Sequence, residues 1–102
     1  MDVLVRIKQL VIAHRIEFTL KAQEERLHDD LSIEEIMESI VNANAIKKTL
    51  RSRSLGRGRA GEKLFVIESP SFSGVWIYTK GVIRRKAARD VFYVLISSKI
   101  TE

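Results

Sequence analysis

Leu31-Ser32-Ile33-Glu34-Glu35-Ile36 is the stretch on which the reading of this chain turns. The Ser32 hydroxyl can accept from the backbone N–H of Glu35, and the Glu35 carboxylate can reach back to the N–H of Ser32. That reciprocal pair is a capping box, and it starts a helix. Leu31 and Ile36 stand where a hydrophobic staple closes such a box. Ile33, Ile36, Met37, Ile40 and Val41 then recur at helical spacing and predict one core-facing stripe. Asn42-Ala43-Asn44 ends it.

Upstream the pattern is also helical. Asp2 predicts the N-cap of a first helix in which Leu4, Ile7 and Val11, flanked by Val3 and Leu10, share a broad apolar face. Arg15-Ile16-Glu17-Phe18-Thr19 alternates polar with apolar and reads as a short strand or an extended connector. Thr19 caps a second helix from Leu20 to about His28, whose sparse apolar residues (Leu20, Ala22, Leu27) predict only light packing. Downstream of Asn44 the period changes. Ile46, Lys48 and Leu50 read as a basic strand, residues 55–61 as a glycine-rich hairpin loop, and Leu64-Phe65-Val66-Ile67 as a buried strand. A turn around Pro70 leads into two more β-branched and aromatic runs, Val75-Trp76-Ile77-Tyr78-Thr79 and Val91-Phe92-Tyr93-Val94-Leu95-Ile96. Helices first and a meander afterwards predict an α+β fold, a two-layer sandwich of N-terminal helices packed on a C-terminal antiparallel β-sheet. The 102 residues have room for one domain with one core.

Charge is divided along the chain. Residues 1–40 hold five basic and nine acidic side chains, a balance of −4, whereas residues 41–102 hold thirteen and four, a balance of +9. Lys47, Lys48, Arg51, Arg53, Arg57, Arg59 and Lys63 meet a single acid, Glu62, and the group Lys80, Arg84, Arg85, Lys86 and Arg89 contains none. Such clusters attract a polyanion, because each phosphate neutralised releases condensed counterions. With no cysteine the chain has no disulfide, thiolate metal site or cysteine nucleophile, which fits a reducing cytoplasm. Two histidines, His14 and His28, are too few for a multi-histidine zinc site, and both read as surface or helix-end residues. The apolar N-terminus is interrupted by Arg6, Lys8 and Gln9, and neither a membrane span nor a cleavable leader is expected.

Nucleotide-binding and metalloprotease motifs are missing. Gly56-Arg57-Gly58-Arg59-Ala60-Gly61 lies between strands, without the lysine or helix start of a phosphate loop. Glu24-Glu25 and Glu34-Glu35 are neighbours that point about a hundred degrees apart, so they read as solvated helix faces. The sheet carries more. Alternation puts Trp76, Tyr78 and Lys80 on one face of their strand, and Val91, Tyr93, Leu95 and Ser97 together on theirs. One surface would then present Tyr78, Tyr93, Lys80 and Ser97 beside the arginines of residues 84–89, suited to stacking on bases and holding phosphates. The competing reading packs both tyrosines in or over the core, with hydroxyls at its rim.

Phe18-Thr19-Leu20-Lys21-Ala22-Gln23-Glu24-Glu25-Arg26, followed by Leu31-Ser32-Ile33-Glu34-Glu35-Ile36, resembles a small bacterial family of unknown-function domains related to the RelE-like and MqsR-like ribonuclease toxins. Members typically show Thr-x-His-Ala-x-x-x-Arg, a short turn, and Ile-Ser-x-x-x-Ile/Val. The ending Asp90-Val91-Phe92-Tyr93-Val94, running on to a serine and Lys99, is similar to the last strand of MqsR-like toxins. Lys21 stands where the family histidine is expected. The resemblance implies a RelE-like fold and a metal-independent endoribonuclease acting on messenger RNA, with a cognate antitoxin as partner, for which a YgiT-type zinc-finger protein is a candidate. On that reading Tyr78 or Tyr93 positions or exchanges protons, and Lys80, Arg84 and Arg26 stabilise a phosphorane-like transition state, with Lys21 added from the histidine position. Arg51, Arg53, Arg57, Arg59, Arg84, Arg85 and Lys86 would hold the RNA, and no cofactor is expected. The alternatives are a non-catalytic nucleic-acid- or ribosome-binding module on the same surface, and a protein-interaction domain whose acidic helices and basic sheet mediate self-association into a homo-oligomer.

Overall fold

The computed structural model describes residues 2–52, 61–87 and 90–102. Its elements run α1 (Val3–Ile12), β1 (Ile16–Phe18), α2 (Leu20–His28), α3 (Ile33–Val41), β2 (Lys48–Arg51), β3 (Lys63–Pro70), β4 (Trp76–Ala87) and β5 (Asp90–Ile100). The three helices start where the side-chain chemistry says. Asp2 accepts from Leu4 N–H at 2.8 Å and Thr19 Oγ1 from Ala22 N–H at 3.2 Å. Both bonds of the Ser32–Glu35 capping box form, at 3.0 and 2.9 Å.

The fold is α+β, as expected, but the sheet is mixed rather than antiparallel. Strand order is β1-β5-β4-β3-β2. The meander β2-β3-β4-β5 is antiparallel, and β1 adds a parallel pairing, Ile16↔Tyr93 to Phe18↔Leu95. The alternating segment after α1 is therefore a strand of the sheet and not a connector.

One core lies between the helices and one face of this sheet. Leu4, Ile7 and Val11 of α1 and Ile36 and Ile40 of α3 meet Phe65, Ile67, Ile77, Tyr93 and Leu95. Ile33, expected in the stripe, is partly exposed at its margin. Val66, Val82 and Val94 are also buried but stand outside that cluster, on the opposite face, over which no described element packs. Successive side chains alternate across a pleated sheet, so this second, open face carries Trp76, Tyr78, Lys80, Val82 and Arg84 of β4.

α2 has a different task. Beyond Phe18, where β1 stops, it lies against the free edge of β5. Its one buried apolar residue is Ala22, and polar contacts hold it. Glu25 Oε1 accepts from the Ser97 hydroxyl at 2.6 Å and from Ser98 N–H at 3.1 Å, and Asp29 accepts from Ile100 N–H at 2.8 Å. One turn of helix separates Glu25 from Asp29, so both carboxylates face the edge and occupy backbone donors that would otherwise template another strand. Glu25 is thus no solvated helix face. The Ile100 N–H, with His28 beside it, holds the Asp29 carboxyl below its ordinary value.

Candidate nucleic-acid interface on the open sheet face

Strand register sorts the open face into transverse rows. Lys48, Val66, Lys80 and Ser97 form one row across four strands, and Glu68, Tyr78 and Lys99 form the next. Trp76 follows, opposite Pro70. The Lys99 ammonium lies 5.5 Å from the Tyr78 ring centroid, and Lys47 Nζ is 2.7 Å from Glu68 Oε2. Lys48 and Lys80 have no ion-pair partner among the described residues.

At the other end of the face the described cations Arg84, Lys86 and Arg15 are already matched. Arg84 grips Glu62 with Nε and Nη2, at 3.1 and 3.2 Å. Lys86 bonds Glu17 at 2.6 Å and lies over the Phe92 ring, and Arg15 shares that ring while sitting 3.7 Å from Asp90. A guanidinium with two of its five donors and its charge engaged by a carboxylate offers a phosphate less than a free ammonium does. Among the described residues of this face, the capacity for a polyanion therefore concentrates on Lys48, Lys80 and Lys99, with Tyr78 and Trp76 in the rows beside them.

The site residues expected from sequence divide accordingly. Tyr78 and Lys80 are on the open face, and Trp76 shares it. Tyr93 is a correction: it is wholly buried on the helix side, its ring against Gly81, and burial pushes its phenol well up. The cause is one residue. Lys80 pairs with Ser97 and Gly81 with Leu95, so Ile96 is an extra residue in β5, a bulge that reverses the alternation on either side of it. Ser97 thus keeps the face of Lys80, though it is buried against Glu25, while Tyr93 takes the other. Tyr78 and Tyr93 do not meet.

Arg26 and Lys21 are on α2, away from the open face. Arg26 donates to Gln23 at 2.6 Å and to the Leu31 carbonyl at 3.1 Å and lies over Phe18, so it ties the α2–α3 turn. Arg51 donates to the Gly61 carbonyl at 2.9 Å at the mouth of the β2–β3 hairpin, and Arg85 is exposed near the end of β4. Arg53, Arg57, Arg59, Arg89 and the glycine-rich loop lie outside the described residues. His14 is exposed, and His28 contacts Asp29 at 3.2 Å.

Sequence reasoning missed Glu68 and the pairing of Lys99 with Tyr78. A charged residue directly after Leu64-Phe65-Val66-Ile67 was a signal for Glu68, but its neighbours belong to other strands. No group of three or more His, Asp or Glu among the described residues is arranged to hold a metal ion, and no described helix is long and apolar enough to cross a membrane. Compared with family models, curated proteins and solved structures, the chain matches none.

Proposed function

We propose that this protein binds single-stranded RNA on the open face of its sheet. The observation that carries the reading is one row of that face, Lys48-Val66-Lys80, in which two lysines without ionic partners flank a buried valine, next to Tyr78 and Trp76. Ammonium groups neutralise the backbone phosphates, and aromatic rings stack on unpaired bases whatever their sequence. Three lysine–phosphate contacts, from Lys48, Lys80 and Lys99, give a logarithmic salt slope of about −2 for a single strand. Affinity for an RNA oligonucleotide then falls about 20-fold between about 50 and 200 mM salt, and Lys48→Ala with Lys80→Ala removes about two-thirds of that slope. A slope unchanged in the double variant would place the RNA elsewhere.

A second reading adds cleavage. Tyr78 stands in one row with a carboxylate, Glu68, and an ammonium, Lys99, and next to Lys80, so a proton-exchanging hydroxyl and cations are adjacent. In a metal-independent endoribonuclease the ribose O2′ bonds to the adjacent phosphorus as the bond to O5′ breaks, leaving a 2′,3′-cyclic phosphate and a 5′-hydroxyl. The proton leaving O2′ passes to a base and another is given to O5′. Tyr78 would serve those proton transfers and Lys80 the charge on phosphorus. A toxin role with a cognate antitoxin, in the cytoplasm, belongs to this reading. Tyr78→Phe keeps the ring, so it should leave RNA affinity intact and slow cleavage at least about tenfold. Intact RNA after incubation with the parent protein, free of any antitoxin, would leave binding alone.

A further inference from the structure

Beyond the Glu68-Tyr78-Lys99 row, the end of the sheet and the segment after α3 enclose a groove of about 490 Å³, lined by Asn42, Asn44, Lys47, Glu68, Pro70 and Trp76 among others. Its size suits a nucleoside rather than a single ion. The Trp76 indole is 54% exposed at the first residue of β4, with Pro70 directly across from it. Glu68 is diagonal to it on the neighbouring strand, a separation of about 7–8 Å that long side chains span. A flat ring and a carboxylate therefore border one space.

The polar wall is ordered. Lys47 Nζ bonds Glu68 Oε2 at 2.7 Å, and Oε1 makes no hydrogen bond among the described residues. A carboxylate has about four lone-pair sites, so Oε2 can accept again. Side by side the pair reads acceptor, acceptor, donor. The edge that complements it must read donor, donor, acceptor, which guanine supplies with N2–H, N1–H and O6. Adenine and cytosine each offer one exocyclic donor beside a ring acceptor, and uracil a single donor between two acceptors, so each would leave an acceptor against the carboxylate. Asn42 is fixed at the rim by donating to the Pro70 carbonyl at 3.1 Å, and the exposed Asn44 amide has no hydrogen bond among the described residues.

We propose that this groove is a guanine-binding subsite: the base stacks on Trp76, Glu68 receives N1–H and N2–H, and Lys47 donates to O6. The subsite rests on the RNA-binding reading for its place beside a strand, but its chemistry can be tested alone. Trp76 is the sole tryptophan of the chain, so its fluorescence reports stacking directly.

The test titrates the full chain with GMP, AMP, CMP and UMP. GMP should give saturable quenching at a concentration at least about tenfold below the other three, the discrimination a good bidentate pair provides. Glu68→Gln replaces one acceptor with a donor and should bring GMP and AMP within about twofold of each other while quenching persists. Lys47→Met leaves the carboxylate and should weaken GMP several-fold with AMP still rejected, and thermal melts of both variants check that they fold. Equal quenching by all four nucleotides, a guanine preference that survives Glu68→Gln, or no saturable quenching by millimolar GMP would each overturn the assignment. Salt-dependent RNA binding without guanine preference would remove the subsite and leave the open face as the RNA surface. GMP binding without RNA binding would do the reverse.

Discussion

Gly81→Ala probes how the core holds Tyr93. A Cβ at position 81 would lie 2.4 Å from Cζ, 2.6 Å from the hydroxyl oxygen and 2.7 Å from Cε2 of Tyr93. Non-bonded carbons rest at about 3.5–4.0 Å, so the ring would have to withdraw by about 1 Å. It has nowhere open to go: Tyr93 is wholly buried, and the core around it includes Phe65, Ile77 and Leu95. Overpacking of this kind costs about 1–3 kcal/mol, and replacing glycine inside a strand returns about 0.5–1. The net loss expected is about 1–2 kcal/mol, a factor of about 5–30 in the folded-to-unfolded ratio. Urea denaturation followed by far-ultraviolet circular dichroism measures it, provided the slope is unchanged. Tyr93→Leu removes the ring, and in that background Gly81→Ala should be nearly neutral, a coupling of about 1 kcal/mol or more between the two sites. If Gly81→Ala destabilises the Tyr93→Leu protein as much as the parent, the steric account is wrong. Tyr93→Phe supplies the companion result. It deletes a buried hydroxyl that has no hydrogen-bond partner, a group that costs about 1–3 kcal/mol to bury, so the variant should be at least as stable as the parent and bind RNA unchanged.

Three further outcomes follow from the caps and the clasped edge. Ser32→Ala removes the hydroxyl that accepts from the Glu35 N–H and leaves the backbone half of the capping box, so it should lower stability by about 0.5–2 kcal/mol in urea, with RNA affinity of the folded protein unaltered because α3 lies on the covered face. Glu25→Gln weakens the acceptor for Ser97 and Ser98, and hydrogen exchange should speed up at the Ser98 amide before it does at the Ile100 amide, which Asp29 holds. Asp29 titrates below its ordinary value in the folded state, so it stabilises the fold above the ordinary aspartate range and loses that contribution as pH falls through the lowered value. Urea midpoints compared at about pH 5 and about pH 2 should show a smaller acid loss for Asp29→Asn than for the parent.

What could be read from the sequence, and what could not, follows the range of the interactions. Each helix start is written within four residues, because a cap is a side chain reaching its own backbone, and Asp2, Thr19 and Ser32 all cap as their spacing says. The face shared by Trp76, Tyr78 and Lys80 was equally legible, since no bulge interrupts β4 between them. Pairing was not. Ile16-Glu17-Phe18 gives no local sign that its partner is Tyr93-Val94-Leu95, more than seventy residues away. The error over Tyr93 has the same origin. Alternation along β5 holds on each side of Ile96, and the bulge shows only when β4 is laid beside it, opposite Lys80 and Gly81. That single extra residue decides the chemistry open to the chain. It turns one tyrosine into packing over a glycine, and it leaves Tyr78, between Glu68 and Lys99, as the phenol of the open face. A glycine at 81 is what lets the bulge be tolerated, because the ring turned inward needs the room a missing Cβ provides. The core's demand for space and the make-up of the open-face row are therefore one structural choice, and substitutions at Gly81 or Ile96 should disturb the open face as well as stability.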